Sequence, residues 1–266
     1  MPHSRLVPDR APMKFSRIAL SFVAIAALSG CAVMEPATPP DAMSAPSEGT
    51  VSIMERSGVG GLPAGWEPWI LHPTKRKTRY ETRGRNGDTV IWAHAESAAS
   101  GLARRLNLDP AVTPWIEWRW RVESLVAGAD NTDRYAEDSP VRIVLAFDGD
   151  RRKLPARDQL FFEKARLLSG GQEMPYATLM YIWENRQPVN AVITNPNTSR
   201  VRKIVVSSGE AGVGTWQNYR RNIIEDYRRA YGNDPGRLIG VAILTDTDNT
   251  RQTASAQYGK IRLLEK

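Results

Sequence analysis

WIEWRWRV, residues 115–122, alternates without a break. Ile116, Trp118, Trp120 and Val122 share one side of an extended chain, and Glu117, Arg119 and Arg121 share the other. Successive side chains of a strand point to opposite faces, so a period of two with one apolar phase marks a half-buried strand. SPVRIVLAF (139–147) repeats the pattern with Val141, Ile143, Leu145 and Phe147 in phase. ATLMYIWEN (177–185), VRKIVVSSG (201–209), LIGVAILTD (238–246) and AQYGKIRLL (256–264) add four more strands. WEPWIL, KTRYETR, DTVIWAHAE and NAVITN carry the same signal more weakly.

Two stretches read as helices. DQLFFEKARLL (158–168) is short. TWQNYRRNIIEDYRRAYG (215–232) sets Trp216, Tyr219, Ile223, Tyr227 and Tyr231 at spacings of three and four. Thr215 is a candidate cap at its start and Gly232 at its end. Its first half also suits a short strand, so the helix is expected from about Asn222. Many strands with one or two short helices predict an all-β fold, an antiparallel β-sandwich.

The N-terminal residues read differently. From Met13, a candidate true start, the chain runs MKFSR, then the apolar Ile18–Leu28, then LSGC ending at Cys31. A basic start, a short apolar core and small residues at a cut describe an export signal. That core is shorter than the ~20 apolar residues a bilayer span needs. Leu28-Ser29-Gly30-Cys31 resembles the lipobox of bacterial lipoproteins, which implies that Cys31 is lipidated. By the same resemblance, Ala32 in place of aspartate implies sorting to the outer membrane, facing the periplasm. The expected organisation is a signal over 1–30, a Pro/Ala/Ser-rich tether over 31–55 and one sandwich domain over 56–266.

Composition then removes functions. Cys31 is the sole cysteine, so lipidation leaves no thiol for a disulfide, a nucleophile or a metal. His3 leaves with the signal, and His72 and His94 are too few for a histidine-rich metal site. Four basic residues and one acid also leave, so the formal charge falls from +7 to +4. Export and modest mixed charge argue against nucleic acid as a partner.

The segments WRWRV, EDSPVRIVLAFDG, LMYIWEN, IIEDYRRAYG and VAILTDTDNTRQTASAQYGKI together resemble a bacterial family, domain of unknown function 3047, from about residue 60 onward. That resemblance implies a fold rather than an activity. The strand order and the closing YGKIRLL also resemble jelly-roll carbohydrate-binding modules. Gly259-Lys260 stands where such modules often carry acids, so no calcium ligand is carried over to that strand.

TDTDNT, residues 245–250, ends an apolar strand and offers three readings. Asp and Asn bonding their own backbone would close a turn, and this reading leads. Asp246 or Asp248 could instead pair with an arginine or meet a ligand, or both could contribute to a calcium site, which wants six to eight oxygens. An EF-hand is excluded, because Arg251 and Gln257 occupy its glycine and glutamate positions. Arg119 and Arg142, with Asp138 nearby in sequence, are candidates to clamp a carboxylate or a polar ligand. Arg121 reads as an ordinary surface pair.

Trp118 and Trp120 are expected in the core. Trp183 and Trp216 adjoin polar residues or glycines at segment ends, where a ring could stack on a sugar. The ligand-binding set is therefore Trp183, Trp216, Arg119, Arg142, Asp138, Asp246 and Asp248. The expected function is a non-catalytic module binding a glycan or other envelope polymer. The alternatives are a glycoside hydrolase using two of Glu117, Asp138, Glu184, Asp246 and Asp248, or a purely structural envelope protein.

Overall fold

In the computed structural model the described residues are 50–52, 54, 61–85, 88–168, 171 and 173–266. The signal, Cys31 and most of the tether lie outside them. The chain forms β1 (Thr50–Ser52), β2 (Trp66–Trp69), β3 (Arg79–Arg85), β4 (Asp88–Glu96), β5 (Ala99–Leu108), β6 (Trp115–Val122) and β7 (Ser139–Phe147). After a 3-10 turn come α1 (Ala156–Leu168), β8 (Ala177–Glu184), β9 (Val192–Thr194), β10 (Val201–Ser208) and β11 (Gln217–Asn222). α2 (Ile223–Tyr231), β12 (Leu238–Asp246) and β13 (Thr253–Leu264) complete it.

Two sheets face each other. The six-stranded sheet runs β11-β6-β13-β4-β3, with β1 added beside β13. The seven-stranded sheet runs β2-β5-β12-β7-β8-β10-β9. Every described pairing is antiparallel except β8 with β10. This is the β-sandwich that the alternation predicts.

The core follows the same phase. Ile116, Trp118, Trp120 and Val122 of β6 meet Ile143 and Leu145 of β7, Tyr181 of β8 and Ile243 of β12 in one buried cluster. Trp118 stacks on Tyr181 across the gap, with centroids 4.8 Å apart. α2 adds Ile223, Tyr227 and Ala230 to this cluster. Asn222 caps α2, accepting from the backbone N–H groups of Ile224 and Glu225, and Gly232 ends it at a positive φ of 78°. Thr215 therefore is not the cap: residues 217–222 are a strand paired with β6, and the helix begins after them.

β5 is the one long strand that the alternation does not flag. Its ASGLARRLNL opens on small residues, and Arg104 and Arg105 interrupt its apolar phase. Trp183 corrects an expectation. Its ring is fully buried in the same core cluster, and its Nε1 donates to the Gly209 carbonyl at 2.9 Å. It has no ring face to offer a sugar.

Candidate functional site

The sequence candidates separate into two places on opposite sides of the sandwich. Asp138, Arg142, Asp246 and Asp248 gather at one end of the seven-stranded sheet. Arg119 and Trp216 lie on the outer face of the six-stranded sheet.

The first group is a buried ionic lock. Arg142, 2% exposed, directs Nε and Nη2 at Asp246 Oδ1 (3.1 and 3.0 Å) and Nη2 also at Oδ2 (3.1 Å). Its remaining donors reach Asn131 Oδ1 (3.1 Å) and the Glu137 carbonyl (2.9 Å). Asp246 also accepts from the Ser139 N–H at 3.0 Å. Asp138 accepts from the N–H groups of Asn249 (3.3 Å) and Thr250 (2.7 Å) and from the Thr250 hydroxyl (2.7 Å). Asp248 pairs with Lys75 at 2.6 Å.

TDTDNT thus closes a turn, as expected, but by other means than Asp and Asn bonding their own backbone: Asp246 is held by Arg142, Asp248 by Lys75, and Asn249 Nδ2 donates to the Arg134 carbonyl at 3.2 Å. The turn is secured from outside, by Asp138, more than by its own side chains. A second buried cation, Lys203, bonds Glu137 at 2.7 Å and the Asn131 carbonyl at 3.2 Å.

Burial sets the titration of this cluster. It pushes the Asp246 carboxyl up to about 6; Arg142 opposes that, while Asp138 adds to it. It pulls the Lys203 ammonium down to about 8; Arg142 repels in the same direction, against the attraction of Glu137. The carboxylates of Asp138, Asp246 and Asp248 come within 4.8 Å of one another, close enough to share a cation. Two of their three charges are met by Arg142 and Lys75, and all of their oxygens but the buried Asp248 Oδ1 accept hydrogen bonds or ion pairs from protein groups. The donor set fits an ion-paired turn better than a calcium cage, which needs several free oxygens.

The second place is an open sheet face. Ile91 and Ala93 of β4 point into the core, so Trp92 and His94 point outward. The register aligns Glu81 of β3, Trp92 of β4, Gln257 of β13 and Arg121 of β6 in one row. Trp216 lies just ahead of β11, at the far side of this row. Strand spacing puts the backbone positions of Trp92 and Trp216 roughly 14 Å apart across the sheet.

Each indole on this face carries a guanidinium. Arg83 lies 4.3 Å and Arg79 5.3 Å from the Trp92 ring, which also stacks on His94. Arg119 lies 4.6 Å from the Trp216 ring and Arg220 4.7 Å from the Trp115 ring. The Arg119 side chain lies against Gly259 of the neighbouring β13, where a Cβ would fall 2.5 Å from Arg119 Cγ. That close approach accounts for the glycine at this position. Arg121 makes a surface pair, at 3.2 Å, with Glu123 two residues on in its own segment rather than across strands.

Trp92, His94, Arg79, Arg83 and Gln257 were not among the sequence candidates. The signal for Trp92 was available: in DTVIWAHAE the residues in phase with the core are Ile91, Ala93 and Ala95, which leaves the tryptophan outside.

A family model described as "Protein of unknown function (DUF3047)" matches residues 64–262. No curated protein matches. Among solved structures, the chain is similar to a family 29 carbohydrate-binding module from Piromyces equi, with 9% identity and TM-score 0.30, covering 80% of this chain and 89% of that one. It is also similar to the K2 cleaved adhesin domain of Lys-gingipain, with 10% identity and TM-score 0.37 over 82% and 98% of the two chains. A third is the xyloglucanase domain of NopAA, a type three effector from Sinorhizobium fredii, in complex with cellobiose, with 10% identity and TM-score 0.42 over 81% and 99%.

Proposed function

The chain belongs to the DUF3047 family, and we propose that it is an exported, lipid-anchored, non-catalytic module that binds a glycan of the cell envelope on the outer face of its six-stranded sheet. The observation that carries this reading is the row of arginine-stacked indoles on that face. An indole supplies apolar surface for the C–H side of a sugar ring, and a guanidinium laid against it keeps its N–H edge free for hydroxyl groups. Arg79 and Arg83 also pair with Glu81 (3.3 and 3.0 Å) and Gln257 donates to Glu123 (2.9 Å), and the two guanidiniums beside Trp92 have more N–H donors than these contacts use. A flat, shallow surface of this kind suits an extended polymer.

Anchoring rests on the lipobox at Cys31, with the outer membrane, periplasmic side, as the expected location. Binding is favoured over glycoside hydrolysis by how the acids are held. Glu117 pairs with Arg262 at 2.6 Å, and Glu184 accepts from the backbone N–H groups of Asn131 (3.1 Å), Arg186 (2.5 Å) and Gln187 (2.8 Å). Asp138 and Asp246 are buried in the lock. None of these stands ready to exchange a proton with a sugar, as the acid of a hydrolase must.

The test is retention of the purified protein on insoluble polysaccharides and peptidoglycan. Wild type should be retained, and Trp92→Ala and Trp216→Ala should be retained less while melting near wild type. No retention of wild type on any of them would overturn the reading in favour of a structural role.

A further inference from the structure

Where β6, β11, α2 and the segment before β9 meet, a cavity of about 330 Å³ opens. Trp115, Asn190, Arg220, Arg221, Asp226 and Arg229 contribute to its lining. Its size is at the small end of ligand pockets, about 300–1,000 Å³, and suits one sugar ring rather than a chain.

The charges in it are unequal in their freedom. Asp226 is consumed: Arg221 donates to it from Nε (2.8 Å) and Nη2 (2.5 Å), and the Tyr181 hydroxyl donates at 2.9 Å. Glu225, the other acid of the lining, accepts from Asn222 Nδ2 at 3.2 Å. Arg220 and Arg229 are both exposed. Arg220 is held by its stack on Trp115, with Glu117 3.7 Å away and bound more closely to Arg262. Arg229 is held by one donation to the Asn190 carbonyl. A guanidinium has more N–H donors than these contacts use, so two positioned cations face a space walled by an indole.

We propose that this cavity is a subsite for a sugar ring bearing an anionic group, a carboxylate or a phosphate. The ring lies against Trp115, and the anion is taken by Arg220 and Arg229, whose planar forks match either oxyanion. The inference rests on the glycan-binding reading above and adds a charge requirement to it. Trp115 and Arg220 belong to the same β6–β11 side as the Trp216 stack, so the cavity is placed to take an acidic residue of a polymer lying on the sheet.

Calorimetric titration with glucuronate, glucose 1-phosphate, glucose and inorganic phosphate tests it. The expected result is saturable binding of glucuronate or glucose 1-phosphate, weakened about tenfold by Arg220→Gln and by Arg229→Gln, with glucose binding more weakly than either. Which of the two anionic sugars binds identifies the source of the charge. Glucose binding as well as the acids, or variants that bind like wild type, would overturn the proposal. Inorganic phosphate binding as tightly as the sugar phosphate would overturn the sugar subsite and leave a plain anion site. Both arginines are exposed, so their variants should melt like wild type. If polymer retention fails while glucuronate binding persists, the sheet-face reading falls and the cavity stands.

Discussion

Replacing Arg142 with methionine removes the cation of the buried lock while keeping much of the side-chain volume. Asp246 then stays buried beside Asp138 with only the Ser139 N–H to satisfy it, and the Glu137 carbonyl and Asn131 Oδ1 lose their donor. Breaking a buried pair from one side costs about 3–5 kcal/mol, a large share of the ~5–15 kcal/mol by which domains are stable. The cost should depend on pH. With Arg142 gone, the Asp246 carboxyl, already raised to about 6, moves higher and is protonated in the folded variant near neutrality. A group whose folded pKa exceeds its unfolded one stabilises the fold more as pH falls through the folded value. Lowering the pH from 7.5 to 5.5 should therefore recover about 1–2 kcal/mol of the deficit, at about 1.4 kcal/mol per unit. Urea unfolding of wild type, Arg142→Met and the Arg142→Met/Asp246→Leu double variant at both pH values measures this. The double variant should regain most of the loss, because no charge is left uncompensated. A loss below about 1 kcal/mol that does not change with pH would refute the lock and free these acids for a ligand.

Lys203 gives a second pH signature of opposite sense. Its folded pKa of about 8 lies below its unfolded value, so stability should rise with pH from about 8 toward 10; Lys203→Met should lack that rise, worth about 3 kcal/mol in full. Urea midpoints of the two proteins across that range decide it, and parallel curves would contradict it. Calcium added after chelation should move the melting temperature little, because Asp246 and Asp248 are already paired with Arg142 and Lys75 and Asp138 is held by hydrogen bonds from the turn. A site filled at a hundredfold excess over Kd would stabilise by about 2.7 kcal/mol, and such a gain lost in Asp248→Ala would reverse the reading of TDTDNT. Cys31→Ser should move the protein from the membrane fraction to the supernatant, and unchanged fractionation would remove the anchor.

The sandwich was legible because one face of β6, β7, β8, β12 and β13 is apolar and the other is not, a property local to each segment. DTVIWAHAE was read with the right bounds but little weight, since its core phase is mostly alanine. β5 escaped because Arg104 and Arg105 sit where alternation would want apolar residues, and only pairing with β2 and β12 makes it a strand. The site was harder to read. Arg119 and Arg142 look alike in sequence, each flanked by strand residues, yet sheet order sends one to an open face and buries the other beside Asp246. Trp183 and Trp216 both adjoin polar or glycine residues, but Trp183 continues the core phase of Leu179 and Tyr181, whereas Trp216 precedes its strand. Local pattern gives the phase of a residue; which sheet and which side it reaches depends on pairings up to a hundred or more positions away, as in the Arg142–Asp246 contact.

The central claim is that the outer face of the six-stranded sheet holds a glycan through its arginine-stacked indoles. Gly259→Ala probes it without touching a residue that meets the ligand. The new methyl would fall 2.5 Å from Arg119 Cγ and 2.6 Å from its Nε, so it displaces a flexible side chain and lifts the guanidinium from Trp216. Retention on the polysaccharide that wild type binds should fall severalfold, by about 1 kcal/mol, with melting close to wild type. Retention unchanged in both Gly259→Ala and Trp216→Ala would contradict the account.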